Sequence, residues 1–241
     1  MKEKYPIQSI AFYLFATLLV SIFACSPQVR SAKDAKFNIV QNIPPNIEKW
    51  EKDIVAFEQQ DKEDKPQKEA ILFVGSSSIV KWKNLQDCFP NKYTLNRGFG
   101  GSQTDEVHYY AFRMLFPYKP KQVVVYVGDN DIAVGKSPIE VFEDLKDFFE
   151  DIRYQLPKAK ITFISIKPSP SRWNLMEEFT QTNDMVENYL KTFKNSSYVD
   201  IVKPMLTDSG RPNPDYFLSD SLHMTPAGYD VWTKAIAPHL E

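Results

Sequence analysis

The sequence predicts a three-layer α/β/α sandwich around a five-stranded, mainly parallel sheet. Two observations carry this. Apolar runs of strand length alternate five times with segments whose apolar residues recur at steps of three and four, the order that builds strand–helix–strand crossovers. The clearest of these runs, Val123–Val127, is apolar throughout and rich in β-branched residues, as a strand covered on both faces requires. A chain of 241 residues suits one domain with a single core, and no internal repeat interrupts it.

The elements follow in order. Asn46 to Gln60 carries Ile47, Trp50, Ile54 and Phe57 on one helical face, and Asp61 to Lys68 reads as a charged loop. Ala70 to Val74 is a strand stopped by Gly75, after which Ser76, Ser77 and Ser78 turn the chain into a short helix holding Ile79 and Trp82. Tyr93 to Asn96 is a second strand, and Arg97 to Ser102 a glycine-rich turn. Gln103 to Phe116 is a helix with Val107, Tyr110, Ala111, Met114 and Leu115 inward, ended by Pro117. Val123 to Val127 leads to Gly128-Asp129-Asn130-Asp131. Ser137 caps an amphipathic helix over Pro138 to Leu156, with Ile139, Phe142, Leu145, Phe149, Ile152 and Leu156 inward. Ile161 to Ile166 is a fourth strand, with a loop from Pro168 to Trp173 beyond it. A long helix presents Phe179, Val186, Leu190 and Phe193; Tyr198 to Val202 is the fifth strand; Met205 to Ser221 is irregular. Thr225-Pro226 caps a last helix with Tyr229, Trp232, Ile236 and Leu240 inward.

Composition narrows the function. With 43% hydrophobic and 25% charged residues the chain is globular, and a formal net charge of -2 without a basic block argues against a nucleic-acid partner. Two cysteines exclude a disulfide scaffold and a multi-cysteine zinc site, and no metal-ligand spacing is visible, so neither metal nor cofactor is expected. Lys2 and Lys4 precede an uncharged apolar run from Ile10 to Ala24, too short for a spanning helix but suited to a signal-peptide core. Ile22-Phe23-Ala24-Cys25 resembles the signal of bacterial lipoproteins, although Phe23 is bulky for its position. That resemblance implies a signal peptide over 1–24, lipidation of Cys25, a tether over 25–45, a folded domain over 46–241, and an exported protein touching the membrane only through its anchor. A simple secretory signal and an uncleaved anchor are the alternatives. Cys88 is then a lone thiol beside Phe89, expected in the core.

Four turns at strand ends or helix starts hold chemically useful residues. They offer Ser77, Gly101, Asn130, and the pair Asp220 and His223. A serine hydroxyl needs a base to become a nucleophile, a histidine base needs a carboxylate to fix its tautomer, and a tetrahedral intermediate needs preorganised donors for its oxyanion. Ser77, His223 and Asp220 fit the first two needs; the backbone N–H groups of Ser77 and Gly101 and the Asn130 side chain fit the third. Taken alone, Gly75 to Ser78 could equally be a polar turn capping a helix.

Together these blocks resemble the SGNH/GDSL hydrolases, specifically the branch similar to platelet-activating-factor acetylhydrolase catalytic subunits. Gly75-Ser76-Ser77 is similar to the family's Gly-Asp-Ser block, Asn96 to Gly101 to its glycine block, Gly128 to Asp131 to its Gly-x-Asn-Asp block, and Asp220 to Tyr229 to its closing Asp-x-x-His block. The resemblance runs from about Ala70 to Leu240 and implies a flavodoxin-like fold and a small-molecule or glycan ester substrate. Ser76 stands where the family usually has Asp, which puts the local turn contacts in question. Arg172 and Trp173 lie in a loop expected to reach the crevice, either against substrate or in solvent. His108 and His239 show no partner in the sequence and are expected to be structural or solvated. A dinucleotide loop at Gly98–Gly101 is disfavoured by Gln103, and an α/β-hydrolase elbow by Ile79 after Ser78. Two rivals remain: a binding protein on the same fold, and a flavin-carrying protein of flavodoxin type.

Overall fold

A computed structural model describes residues 45–241. The expected signal peptide, Cys25 and all but the last residue of the expected tether lie outside the described residues.

After a single helical turn, Pro45–Glu48, the elements are helix α1 (Glu51–Glu63), strand β1 (Ile71–Gly75), short helices α2 (Ser77–Val80) and α3 (Leu85–Cys88), strand β2 (Thr94–Gly98) and helix α4 (Thr104–Met114). Strand β3 (Gln122–Tyr126), short helix α5 (Asp129–Ala133), helix α6 (Pro138–Gln155), strand β4 (Lys160–Ile164), helix α7 (Met176–Thr192), strand β5 (Ser196–Val199) and helix α8 (Pro226–Ile236) complete the order. All neighbouring strands are parallel, in the order β2-β1-β3-β4-β5. The chain goes from β1 to β2 on one side and returns to β3 on the other. Beyond the carboxyl ends of β1 and β3 the crossovers diverge, the place where a sheet of this topology offers a site.

Alternate strand residues feed two cores. Leu72, Val74, Val123, Val125, Ile161 and Phe163 meet the apolar faces of α1, α4, α6 and α7. Ile71, Phe73, Val124, Tyr126 and Ile164 meet Trp82, Leu85, Tyr229, Trp232 and Ile236 on the other side. The caps hold as the sequence indicates. Ser137 accepts from the Glu140 N–H and Glu140 reaches back to the Ser137 N–H (2.7 Å), while Thr225 Oγ1 accepts from the Gly228 N–H.

Several expectations need correction. Helix α1 runs on to Glu63, into the predicted charged loop, because Asp61 is held by the buried Arg97 and by the Tyr118 hydroxyl. Strand β2 extends to Gly98, and β5 ends at Val199, three residues before the predicted end. On α6 the buried positions are Val141, Leu145, Phe148, Phe149 and Ile152; Ile139, expected inward, is 53% exposed, since the inward face is set by Val141 and Phe148. His108 has a partner after all, the Asp151 carboxylate at 3.2 Å. Among the described residues no helix is long and apolar enough to cross a membrane.

Candidate active site

The site begins with the turn after β1. Gly75 takes φ +140°, and a Cβ there would lie 1.8 Å from the Tyr126 carbonyl oxygen on β3. Only glycine allows the two strand ends to approach so closely before the chain turns. Ser76 is fully buried, with its N–H donating to the Tyr126 carbonyl (3.1 Å), and Ser78 is also buried. Ser77, the first residue of α2, is the one serine of the three that is partly exposed. The Tyr229 hydroxyl on α8 donates to the Ser78 carbonyl (2.9 Å) and anchors this turn to the last helix.

The structure brings Ser77, His223 and Asp220 together. His223 Nε2 lies 3.1 Å from Ser77 Oγ, and His223 Nδ1 lies 2.5 Å from Asp220 Oδ2. A carboxylate only accepts, so the ring proton sits on Nδ1 and Nε2 is free to accept from the serine hydroxyl. Asp220 Oδ1 accepts from the backbone N–H groups of Leu222 (3.0 Å) and His223 (2.9 Å). The loop is closed by the Leu218 N–H, which donates to the His223 carbonyl (2.7 Å), and by Ser221 in the left-handed region at φ +57°. The Asp220 carboxyl is held well below the ordinary carboxylate range, first by the His223 side chain and then by these two backbone donors.

The candidate oxyanion donors lie on turns that are tied to the end of β1 and to one another. The Phe99 N–H donates to the Gly75 carbonyl (3.0 Å), which ties the glycine turn to the end of β1. Among the described residues, the N–H groups of Ser77 and Gly101 meet no acceptor. Gly101 has φ +78°, a conformation that favours glycine. Asn130 donates through Nδ2 to the Ser102 carbonyl (3.0 Å). The neighbouring Asp131 is fully buried and accepts from the Thr104 N–H (2.9 Å), so the Asn130 turn and the Gly101 turn are locked to one another. Burial raises the Asp131 carboxyl, against the pull of Lys136 at 3.0 Å. The carboxylates of Asp105, Asp131 and Asp144 converge, and the Lys136 ammonium sits among them within 3.0 Å of each.

Behind these donors lies a charged group that the sequence did not reveal. Asp129, 3% exposed, accepts from Ser76 Oγ (3.5 Å) and faces the ammonium of Lys167 (3.4 Å) and the guanidinium of Arg172 (2.9 Å). The family's usual Asp at position 76 is thus replaced by a serine that points at a carboxylate on the next turn. Lys167 is buried against Tyr126, with its pKa lowered chiefly by desolvation and secondly by Arg172. A lysine just past the end of a buried strand was the available signal for it. Arg172 lies in a 3-10 turn, Pro170–Leu175, that is pinned to the His223 loop by the Ser171 N–H donating to the Ser221 carbonyl (3.0 Å). Trp173 is half-buried, with the Arg211 guanidinium 4.8 Å from its ring.

A model of the GDSL-like Lipase/Acylhydrolase family matches residues 75–231, which contain every one of these residues. A Streptococcus pneumonia protein described as a platelet activating factor superposes with a TM-score of 0.72 at 20% identity, over 85% of this chain and 99% of its own. A Bacteroides fragilis acylhydrolase superposes with a TM-score of 0.66 at 25% identity, over 75% of this chain and 92% of its own. A GDSL-like lipase from Bacteroides thetaiotaomicron gives 0.63 at 21% identity, over 80% and 96%. A search of curated proteins found no match. The all-parallel sheet, the site at its switch point and a family match spanning most of the described chain lead to one conclusion: the chain belongs to the GDSL-like lipase/acylhydrolase family, a family of ester-cleaving hydrolases.

Proposed function

We propose that the chain is a serine esterase that cleaves carboxylic esters of small acyl groups through an acyl-enzyme on Ser77. The observation that carries this is the relay Asp220–His223–Ser77, with contacts of 2.5 and 3.1 Å. His223 Nε2 takes the Ser77 proton as Oγ attacks the ester carbonyl. The tetrahedral oxyanion is held by the N–H groups of Ser77 and Gly101 and by Asn130 Nδ2, each such donor contributing roughly 3–4 kcal/mol to the transition state. Collapse breaks the ester C–O bond, and the imidazolium returns the proton to the leaving alkoxide. Water then attacks the acyl-enzyme with His223 again as base, releasing the acid and restoring the Ser77 hydroxyl. Nothing in this sequence of steps calls for a metal or cofactor.

The proposal extends to an exported protein, anchored by lipid on Cys25, that acts on acetylated glycans or short-chain esters. The signal-like N-terminus supports export, and an exported anchored enzyme would meet glycans first. A fluorophosphonate probe tests the chemistry: it should label Ser77 in the wild-type chain, and failure to label would leave a binding protein on the same fold. A panel of acetyl-xylan, acetylated sialic acid, p-nitrophenyl esters of rising chain length and lysophospholipid tests the substrate. Mass spectrometry of the mature N-terminus tests the anchor.

A further inference from the structure

An asparagine amide presents almost the same shape after a 180° flip, yet the two faces have opposite chemistry. With Nδ2 toward the oxyanion the group stabilises it; with Oδ1 there it repels it. Something must therefore fix the flip of Asn130. Its Nδ2 donates one hydrogen to the Ser102 carbonyl (3.0 Å), which leaves the second hydrogen for substrate. Its Oδ1 accepts from Arg172 Nη2 (2.9 Å). Arginine has donors only, so a flipped Asn130 would set an NH2 group against a guanidinium and a carbonyl against a carbonyl.

Arg172 is itself held. Its Nη1 stands 2.9 Å from Asp129 Oδ2, which Lys167 also faces at 3.4 Å. Lys167 and Arg172 thus share one buried carboxylate. The guanidinium lies behind the amide, and a donor chain from guanidinium through amide to oxyanion polarises in one direction.

Resting on the esterase reading above, we propose that Arg172 is a positioning residue that locks and polarises the Asn130 amide, with Asp129 holding it in place, and that it does not bind substrate. The alternative is a direct contact between Arg172 and the ester, which the partly exposed guanidinium (17% of its side chain) leaves open sterically.

A double-mutant cycle in the full-length protein separates the two. Arg172→Met should lower kcat by about 10-fold to 100-fold, short of the 10²–10³ expected for losing the donor outright in Asn130→Ala. KM should stay within about twofold, and Arg172→Lys, which keeps the charge but not the fork, should recover part of the loss. In an Asn130→Ala background, Arg172→Met should cost nothing further. An equal loss in both backgrounds, or a rise in KM alone, overturns the proposal in favour of substrate contact. Arg172→Lys takes the place of Arg172→Met in the cycle if the latter does not fold. A readout independent of turnover comes from the side-chain amide protons of Asn130 by NMR. They should shift and exchange faster with solvent in the Arg172 variant, and unchanged resonances also overturn the proposal. Fluorophosphonate labelling of the wild type reports separately on the esterase reading, so the two ideas fail by different results.

Discussion

Three adjacent serines pose a question that burial and geometry answer. Ser76 Oγ is spent on Asp129, Ser78 is buried, and Ser77 alone faces an imidazole. Ser77→Ala should therefore abolish fluorophosphonate labelling and lower turnover by at least about a thousandfold, whereas Ser78→Ala should keep labelling intact. Loss of labelling in the Ser78 variant with retention in the Ser77 variant would move the nucleophile. Asp220 does two jobs with its two oxygens: Oδ2 orients the ring, and Oδ1 ties the loop through the Leu222 and His223 N–H groups. Asp220→Asn should cost about three to four orders of magnitude in kcat by upsetting the tautomer, with the melting temperature little changed. The pH dependence follows from the lowered carboxyl. Its folded pKa is depressed, so its contribution to the loop is present above the ordinary value of 3.8 and is lost only as the pH falls through the lower folded value. Asp220 therefore remains a carboxylate throughout mildly acidic solution, and a low-field His223 Nδ1 proton should persist in NMR spectra at pH 5.

At the scale of elements, two turns with similar composition have opposite tolerance. Gly75→Ala would drive a methyl to 1.8 Å from the Tyr126 carbonyl at a φ of +140°, so β1 and β3 would have to part. Gly100 has nothing within 4 Å of its imagined Cβ and no left-handed φ. Gly75→Ala should lose more than about 4 kcal/mol of stability or fail to fold, while Gly100→Ala should stay within about 1 kcal/mol, as read from thermal or urea unfolding. The same contrast explains what the sequence made legible. The three central strands were visible because a sheet covered on both faces leaves an apolar signature, the two edge strands only as short runs between turns, and the Asp220–His223 pair because the two stand three positions apart along one loop. Element ends were less visible: β2 runs past Asn96 through Arg97, whose charge reads as loop until the Asp61 partner is seen. The group Asp129, Lys167 and Arg172 was hidden for a related reason. Buried charges look like errors in a sequence until the three segments that neutralise one another are brought together by the fold.

For the molecule as a whole, the question is whether helix α1, which precedes the first strand, is a part of the domain or an appendage to it. The contacts favour the former. Arg113 on α4, with its side chain 6% exposed, is paired to Glu51 (2.7 Å) and Glu58 (2.8 Å) of α1. Arg97, 3% exposed, is paired to Asp61 of the same helix. Removing α1 would strip both guanidinium groups of their carboxylates and uncover the core face that Ile54 and Phe57 cover. The segment before α1 reaches the site: Trp50 packs edge-on to Phe99 (centroids 5.5 Å), and its Cη2 lies 3.4 Å from where a Gly101 Cβ would stand. Trp50 thus backs the turn that presents the Gly101 N–H, and a support of this kind transmits small displacements to a donor whose placement matters. A chain beginning at Pro45 should unfold cooperatively, whereas one beginning at Lys65 should be insoluble or lose cooperative unfolding. Trp50→Ala, milder, should lower kcat about tenfold with KM little changed if the Gly101 N–H is the oxyanion donor proposed, since the change loosens only the turn that presents it. A chain beginning at Lys65 that unfolds cooperatively at an unchanged temperature, with full esterase turnover, would make α1 an appendage and leave Gly101 supported from within the sheet.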